Sequence, residues 1–247
     1  LHLSEKRMAI NIILGIFIIL QVLGVWFSRS RSGVIVIFLE FIFFFGMMAL
    51  FSRTETLRSH QTLRVLQIIF IIALIIIVYT GASSTIDRFT TEKLNQEGRF
   101  QYWTTLTRMV QDFPLWGSGL GTFAVVYPAY ESGKTYGLLL HAHNDYLEFL
   151  LEIGIGGMLL LFGGIIYILI NTYLGWTKRR NYKVKTMVLG GMTSILGLAI
   201  HSLTDFNLHI PANTVIFSMI ISFTLILVYW RPREKRRFVP GEKDGRT

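Results

Sequence analysis

The stretch GVIVIFLEFIFFFGMMALF, residues 33–51, carries a single charge, Glu40. As a helix rising 1.5 Å per residue it would be roughly 28 Å long, close to the ~30 Å of a bilayer's hydrocarbon. Five other runs read the same way, at 9–27, 65–81, 146–170, 187–203 and 211–229. In lipid the backbone must satisfy its own hydrogen bonds, and the chain shows none of the ten-residue alternation of a barrel. The expected fold is therefore all-α: a polytopic integral membrane helical bundle of about six transmembrane helices.

Composition agrees, with 52% hydrophobic and 16% charged residues, which excludes an ordinary soluble domain. The absence of cysteine excludes disulfides, thiolate metal sites and a cysteine nucleophile. The net charge of +9 comes from Lys and Arg gathered between apolar runs, not from a basic stripe with interleaved aromatics. It reads as membrane topology, and no nucleic-acid partner is expected.

The positive-inside rule puts Lys6 and Arg7, Arg53, Arg58 and Arg64, the 178–185 cluster and the basic tail from Arg231 to Arg246 on the cytoplasmic side. Both termini are then cytoplasmic, and residues 82–145 form a large extracytoplasmic loop. Within it 98–112 reads as an amphipathic helix on the membrane surface, with Phe100, Trp103, Leu106, Thr107 and Val110 near a 3-4 spacing. Pro114 and the glycines of GSGLG end it. The chain opens at Leu1 with no signal-peptide pattern, so residues 1–247 are expected to be one membrane domain from a longer protein.

Four polar pieces interrupt this apolar chain. In SRSRSG, residues 28–33, Arg29 and Arg31 sit in a short outside turn where basic residues are disfavoured. Guanidinium forks suit phosphate oxygens, whereas the plainer alternative is snorkelling to lipid headgroups. Arg99, among aromatics in GRFQYW, has the same two readings.

In HAHNDYLEFLLEIGIGG, residues 141–157, helical spacing puts Asp145, Glu148 and Glu152 on one face, with His141, His143 and Asn144 at its mouth. Ionisable groups at membrane depth point to a bundle interior or a wet cavity. A neutral histidine there can act as general base, oriented by a carboxylate. The fourth piece, HSLTDFNLHIPAN, adds His201, Asp205 and His209 on the same side. His-x-His spacing is a weak metal signal and GSGLG matches no nucleotide fingerprint, so neither a metal nor another cofactor is expected.

His143-Asn144, nine residues and then Gly154-Ile155-Gly156-Gly157 form the pattern H-[NSQ]-x9-G-x-x-G. With SRSRSG, GRFQYW…FPLWGSGLGTF and HSLTDFNLHIPA in the same order, the chain resembles the O-antigen ligase and polymerase superfamily from about Phe27 to Ala212. The resemblance implies a metal-independent glycosyltransferase of the bacterial inner membrane with its active face periplasmic. It would move a glycan from an undecaprenyl-diphosphate carrier to lipid A-core in a ligase, to another glycan in a polymerase, or to a protein hydroxyl in an oligosaccharyltransferase. A non-catalytic transporter of lipid-linked sugars is the reading from another class. By the same resemblance His143 would be the general base, and Arg29 or Arg31, with Arg99, would hold the diphosphate. His141, Asn144, Asp145, Glu148, Asp205 and His209 would support them. Family members carry more spans than this chain, which implies that it is a C-terminal part.

Overall fold

The computed structural model describes residues 2–28, 30–52, 93–131 and 139–230. Among these the chain is all helical: α1 (His2–Phe27), α2 (Arg31–Ser52), α3 (Lys93–Asp112), α4 (Phe123–Tyr130), α5 (Asp145–Thr177), α6 (Tyr182–His201), a 3-10 turn (Asn207–His209) and α7 (Pro211–Tyr229). Four helices have the length and apolarity to cross a membrane, within α2, α5, α6 and α7, and α1 contains a shorter apolar stretch, Ile12–Val25. The expected span at 65–81 lies outside the described residues.

Lipid is the solvent these helices are built for. Leu159 and Leu160 on α5 are 71% and 78% exposed, which in water would be an aggregation surface. The hydroxyls of Thr193, Ser194, Ser218, Ser222 and Thr224 each donate to the carbonyl four residues earlier, so these five are not free donors in hydrocarbon. The helices α2, α6 and α7 form the tightest group. At one end of the bundle Met48, Trp176, Val188, Leu189 and Val228 make a buried cluster. At the other, Leu106, Met109, Phe123, Tyr127, Ala142 and Leu151 make a second.

That second cluster adds to the reading of the long loop. Among its described residues the loop holds two helices, and α3 turns Leu106 and Met109 onto α4 and the start of α5. Thr107, expected on the apolar side, is exposed and bonded to its own helix, while Thr105 is buried. The buried part of that apolar face is held by packing against protein.

The span at 146–170 is also not a plain helix. Gly154 has φ 63° and ψ −175°, which breaks α5 into a short segment, 145–153, and a longer one of membrane length. The break leaves the carbonyls of Leu151 and Glu152 and the amides of Ile155 and Gly156 without helical partners, and the turn after α3 takes all four. Ser118 N donates to Leu151 O (2.8 Å) and Gly119 N to Glu152 O (2.9 Å). Ile155 N donates to Pro114 O (2.9 Å) and Gly156 N to Leu115 O (3.0 Å). A broken helix at membrane depth is tolerable where protein re-satisfies its backbone. The glycines of GSGLG and GIGG are thus two halves of one junction: a Cβ at Gly117 would strike Glu152 O, and one at Gly154 would strike Leu115 O. The partner that approaches GIGG is this turn, although small residues in an apolar run equally suit the approach of a neighbouring helix.

Candidate functional site

The short segment of α5 begins at Asp145, capped by the side chain of Asn144, which accepts from Leu147 N (3.1 Å). Asp145 ties two distant motifs together. Its amide donates to Ser202 O (3.0 Å) and Asp205 O (3.2 Å). Its carboxylate accepts from Leu208 N (2.9 Å) and lies 2.6 Å from His209 Nδ1. The spacing-based face is real: Asp145, Glu148 and Glu152 are each at most 1% exposed, and all three surround His209.

His209 Nε2 points between Glu152 Oε2 at 3.4 Å and Glu148 Oε1 at 3.7 Å. Burial alone would lower the pKa of His209, but the hydrogen bond its ring donates to Asp145, with Glu152 and Glu148 beside the ring, pushes it up to about 9. The imidazole is therefore a cation at neutral pH. Glu148 continues the network upward, its Oε1 2.8 Å from His141 Nδ1 and its Oε2 accepting from Ala142 N (2.7 Å). Glu152 continues it downward, accepting from Phe123 N (3.3 Å) just past the GSGLG turn.

A second, more open group lies above. His143 has φ 52° and is the one non-glycine residue with positive φ among those described. A left-handed backbone at a histidine costs free energy and needs surroundings that enforce it. Here Trp103 Nε1 donates to Ala142 O (3.2 Å), Asn144 caps α5, and the Phe206 ring meets His143 edge-on at 5.0 Å and stacks on His141 at 4.4 Å. His143 Nδ1 is 3.7 Å from Asp205 Oδ1. The imidazole beside it holds the Asp205 carboxyl below the usual carboxylate range, and the Phe206 amide adds to this. Asp205 Oδ2 is 3.8 Å from His201 Nε2, which is 3.1 Å from Ser32 Oγ.

That chain of contacts, Ser32 to His201 to Asp205 to His143, brings SRSRSG, HSLTDF and HAHND to one end of the bundle. GRFQYW joins through Trp103, one helical turn beyond Arg99. Arg29 lies outside the described residues, as do the side chains of Arg31 and Arg99. The sequence profile of the family described as O-antigen ligase matches residues 16–162. This chain belongs to the O-antigen ligase family.

Membership makes it, at the level of the family, an O-antigen ligase-like membrane glycosyltransferase. Comparison with curated proteins gives no significant match. The O-antigen ligase match takes in Arg29, Arg31, Arg99, His143 and the GIGG break and ends before His201, Asp205 and His209. It is the folded contacts that join those three to the rest.

Three participants were not named as site residues from the sequence. Glu152 was placed on the acidic face but given no role, and its signal was the i+7 spacing from Asp145. Ser32 was hidden between Arg31 and Gly33, and Phe206 looked like one more apolar residue. Glu40, the lone acidic residue of α2, stands against Gly197 of α6 and lines a cavity of about 300 Å³ with His201, Asn207 and Asn213.

Proposed function

We propose that the chain transfers a glycan from an undecaprenyl-diphosphate carrier to an acceptor hydroxyl at the periplasmic face of the inner membrane, as an O-antigen ligase acting on lipid A-core. His143 takes the proton of the acceptor hydroxyl as its oxygen attacks the anomeric carbon. The bond from that carbon to the diphosphate oxygen breaks, and the diphosphate leaves on its lipid. Arg29 or Arg31, with Arg99, neutralises the charge that develops there. Polymerisation of repeat units and glycosylation of a protein hydroxyl use the same step with another acceptor.

The observation that carries the reading is the linkage of Ser32, neighbour of Arg31, through His201 and Asp205 to a strained, partly exposed His143. Strain of this kind gathers at working sites. The buried Asp145, Glu148 and His209 then serve as the frame that holds the histidine segment.

One observation favours His141 as the base instead: it is 2.8 Å from Glu148, against 3.7 Å between His143 and Asp205. The test is transfer from a radiolabelled lipid-diphosphate glycan by purified protein in nanodiscs. His143→Ala should abolish transfer with thermal unfolding unchanged, and His141→Ala should only lower it. Normal transfer by a folded His143→Ala protein would overturn the assignment, and the reversed order would make His141 the base. Arg99→Lys should also fail, because a point charge does not replace a bidentate fork. In proteoliposomes, movement of donor from one leaflet to the other without new product would support transport in place of transfer.

A further inference from the structure

At the end of the bundle opposite the histidines, α5, the link to α6, and α7 enclose a cavity of about 630 Å³. That is within the range of small-molecule sites, roughly 300–1,000 Å³. Its construction is specific. Arg179 donates from Nε to Val228 O (2.7 Å) and from Nη2 to Trp230 O (2.6 Å). Arg179 thereby caps the last carbonyls of α7 and ties the link to that helix. It is spent on structure.

Its neighbours Lys178 and Arg180 are exposed at the rim of the same cavity, and among the described residues no acidic side chain lines it. Below them the walls are Leu174 and Tyr229, 49% and 57% exposed, which continue onto the outer faces of two membrane-crossing helices. The longer segment of α5 runs from its break to Thr177, roughly 35 Å at 1.5 Å per residue, so its end reaches headgroup depth. Cations at that depth above an apolar wall repeat the layout of an anionic phospholipid, with phosphate above acyl chain.

We propose that this cavity binds one anionic phospholipid, with Lys178 and Arg180 on its phosphate oxygens and Leu174 and Tyr229 along the first part of its acyl chains. The site is independent of the glycosyl-transfer reading. A bound lipid would bridge the ends of α5 and α7 beside the Arg179 clamp and add to the stability of the folded state.

Diffuse attraction of a basic protein to an anionic membrane predicts something different, and Lys183 separates the two. It is exposed on the first turn of α6 with the same charge but does not line the cavity. Phosphatidylglycerol is titrated into purified full-length protein in zwitterionic detergent, with bound lipid counted by native mass spectrometry and thermal unfolding followed in parallel. We expect saturation at one tightly held lipid, a rise in unfolding temperature, and no such effect of phosphatidylcholine. Lys178→Gln and Arg180→Gln should each weaken retention roughly fivefold, and the pair about twenty-five-fold, while Lys183→Gln leaves it unchanged. Equal weakening by Lys183→Gln would reduce the site to bulk charge and overturn the proposal. So would equal binding of phosphatidylcholine, or full displacement of the lipid by inorganic phosphate, which would make this a free-phosphate site.

Discussion

His209 and Asp145, 64 residues apart in the chain, meet at 2.6 Å between Nδ1 and Oδ1. The contact joins the turn before α7 to the first residue of α5, and it holds His209 protonated against its burial. A histidine whose pKa is raised on folding contributes stability that is complete below its unfolded value of about 6.5 and is lost as pH rises through about 9. The protein should therefore lose thermal stability between pH 7 and pH 9.5. Asp145→Asn should be destabilised by a few kcal/mol at pH 7, because a buried charge-assisted pair is broken on one side. Its unfolding temperature should depend far less on pH over that window. An identical pH dependence in the variant would show that this pair is not the source.

Asp205 is a positioning residue for His143 in this scheme, since it faces the ring at 3.7 Å and not the acceptor. Asp205→Asn should lower kcat roughly tenfold or more with little change in KM. Asp205→Glu, which keeps the carboxylate beside the ring, should restore part of kcat, a rescue that a purely structural role would not produce.

The junction between GSGLG and the α5 break makes a prediction about glycines. Gly154→Ala places a side chain at φ 63° and against Leu115 O, and Gly117→Ala does the same at φ 73° against Glu152 O. Each should cost about 1–3 kcal/mol or more, because strain and collision with backbone add. Gly163 and Gly164 lie farther along the same helix with nothing within 4 Å of an added Cβ. Their alanine variants should be neutral or up to about 1 kcal/mol more stable through helix propensity. Thermal unfolding of the four variants in one detergent decides it, and equal effects at all four positions would count against the junction.

The length of the apolar runs made the spans at 33–51 and 211–229 legible, because a membrane helix is a one-dimensional pattern with a length set by the bilayer. The acidic face of Asp145, Glu148 and Glu152 was legible for the same reason, since helical spacing is local. The break at Gly154 was not, because GIGG in an apolar run is equally what close helix packing requires. Its cause is a turn more than thirty residues away. The second loop helix escaped because its stability comes from Phe123 and Tyr127 packing under α3, and Pro128 inside it argues locally for a turn. The partners of His209 and His143 likewise depend on which loops meet at the end of the bundle.

The last prediction concerns metal. Glu148, Glu152 and His209 bring one donor atom each within 4.8 Å of one another, a set suited to a divalent cation. A carboxylate such as Asp145 on the far ring nitrogen also occurs behind metal-bound histidines, so geometry alone does not choose. Protonation of His209 bears on the choice. With its pKa pushed up to about 9, His209 presents N–H at Nε2 at neutral pH, and the imidazolium itself fills the cation's place between the two glutamates. A metal would have to displace that proton, which makes its binding weak at pH 7 and stronger as pH rises. Transfer assayed at pH 7 should be unchanged by EDTA. Added Zn²⁺ should inhibit, more strongly at pH 9 than at pH 7. His209→Gln should abolish that Zn²⁺ inhibition, read as loss of Zn²⁺-dependent thermal stabilisation where the variant no longer transfers. Activity lost on chelation and restored by one particular metal would instead make this triad a metal centre.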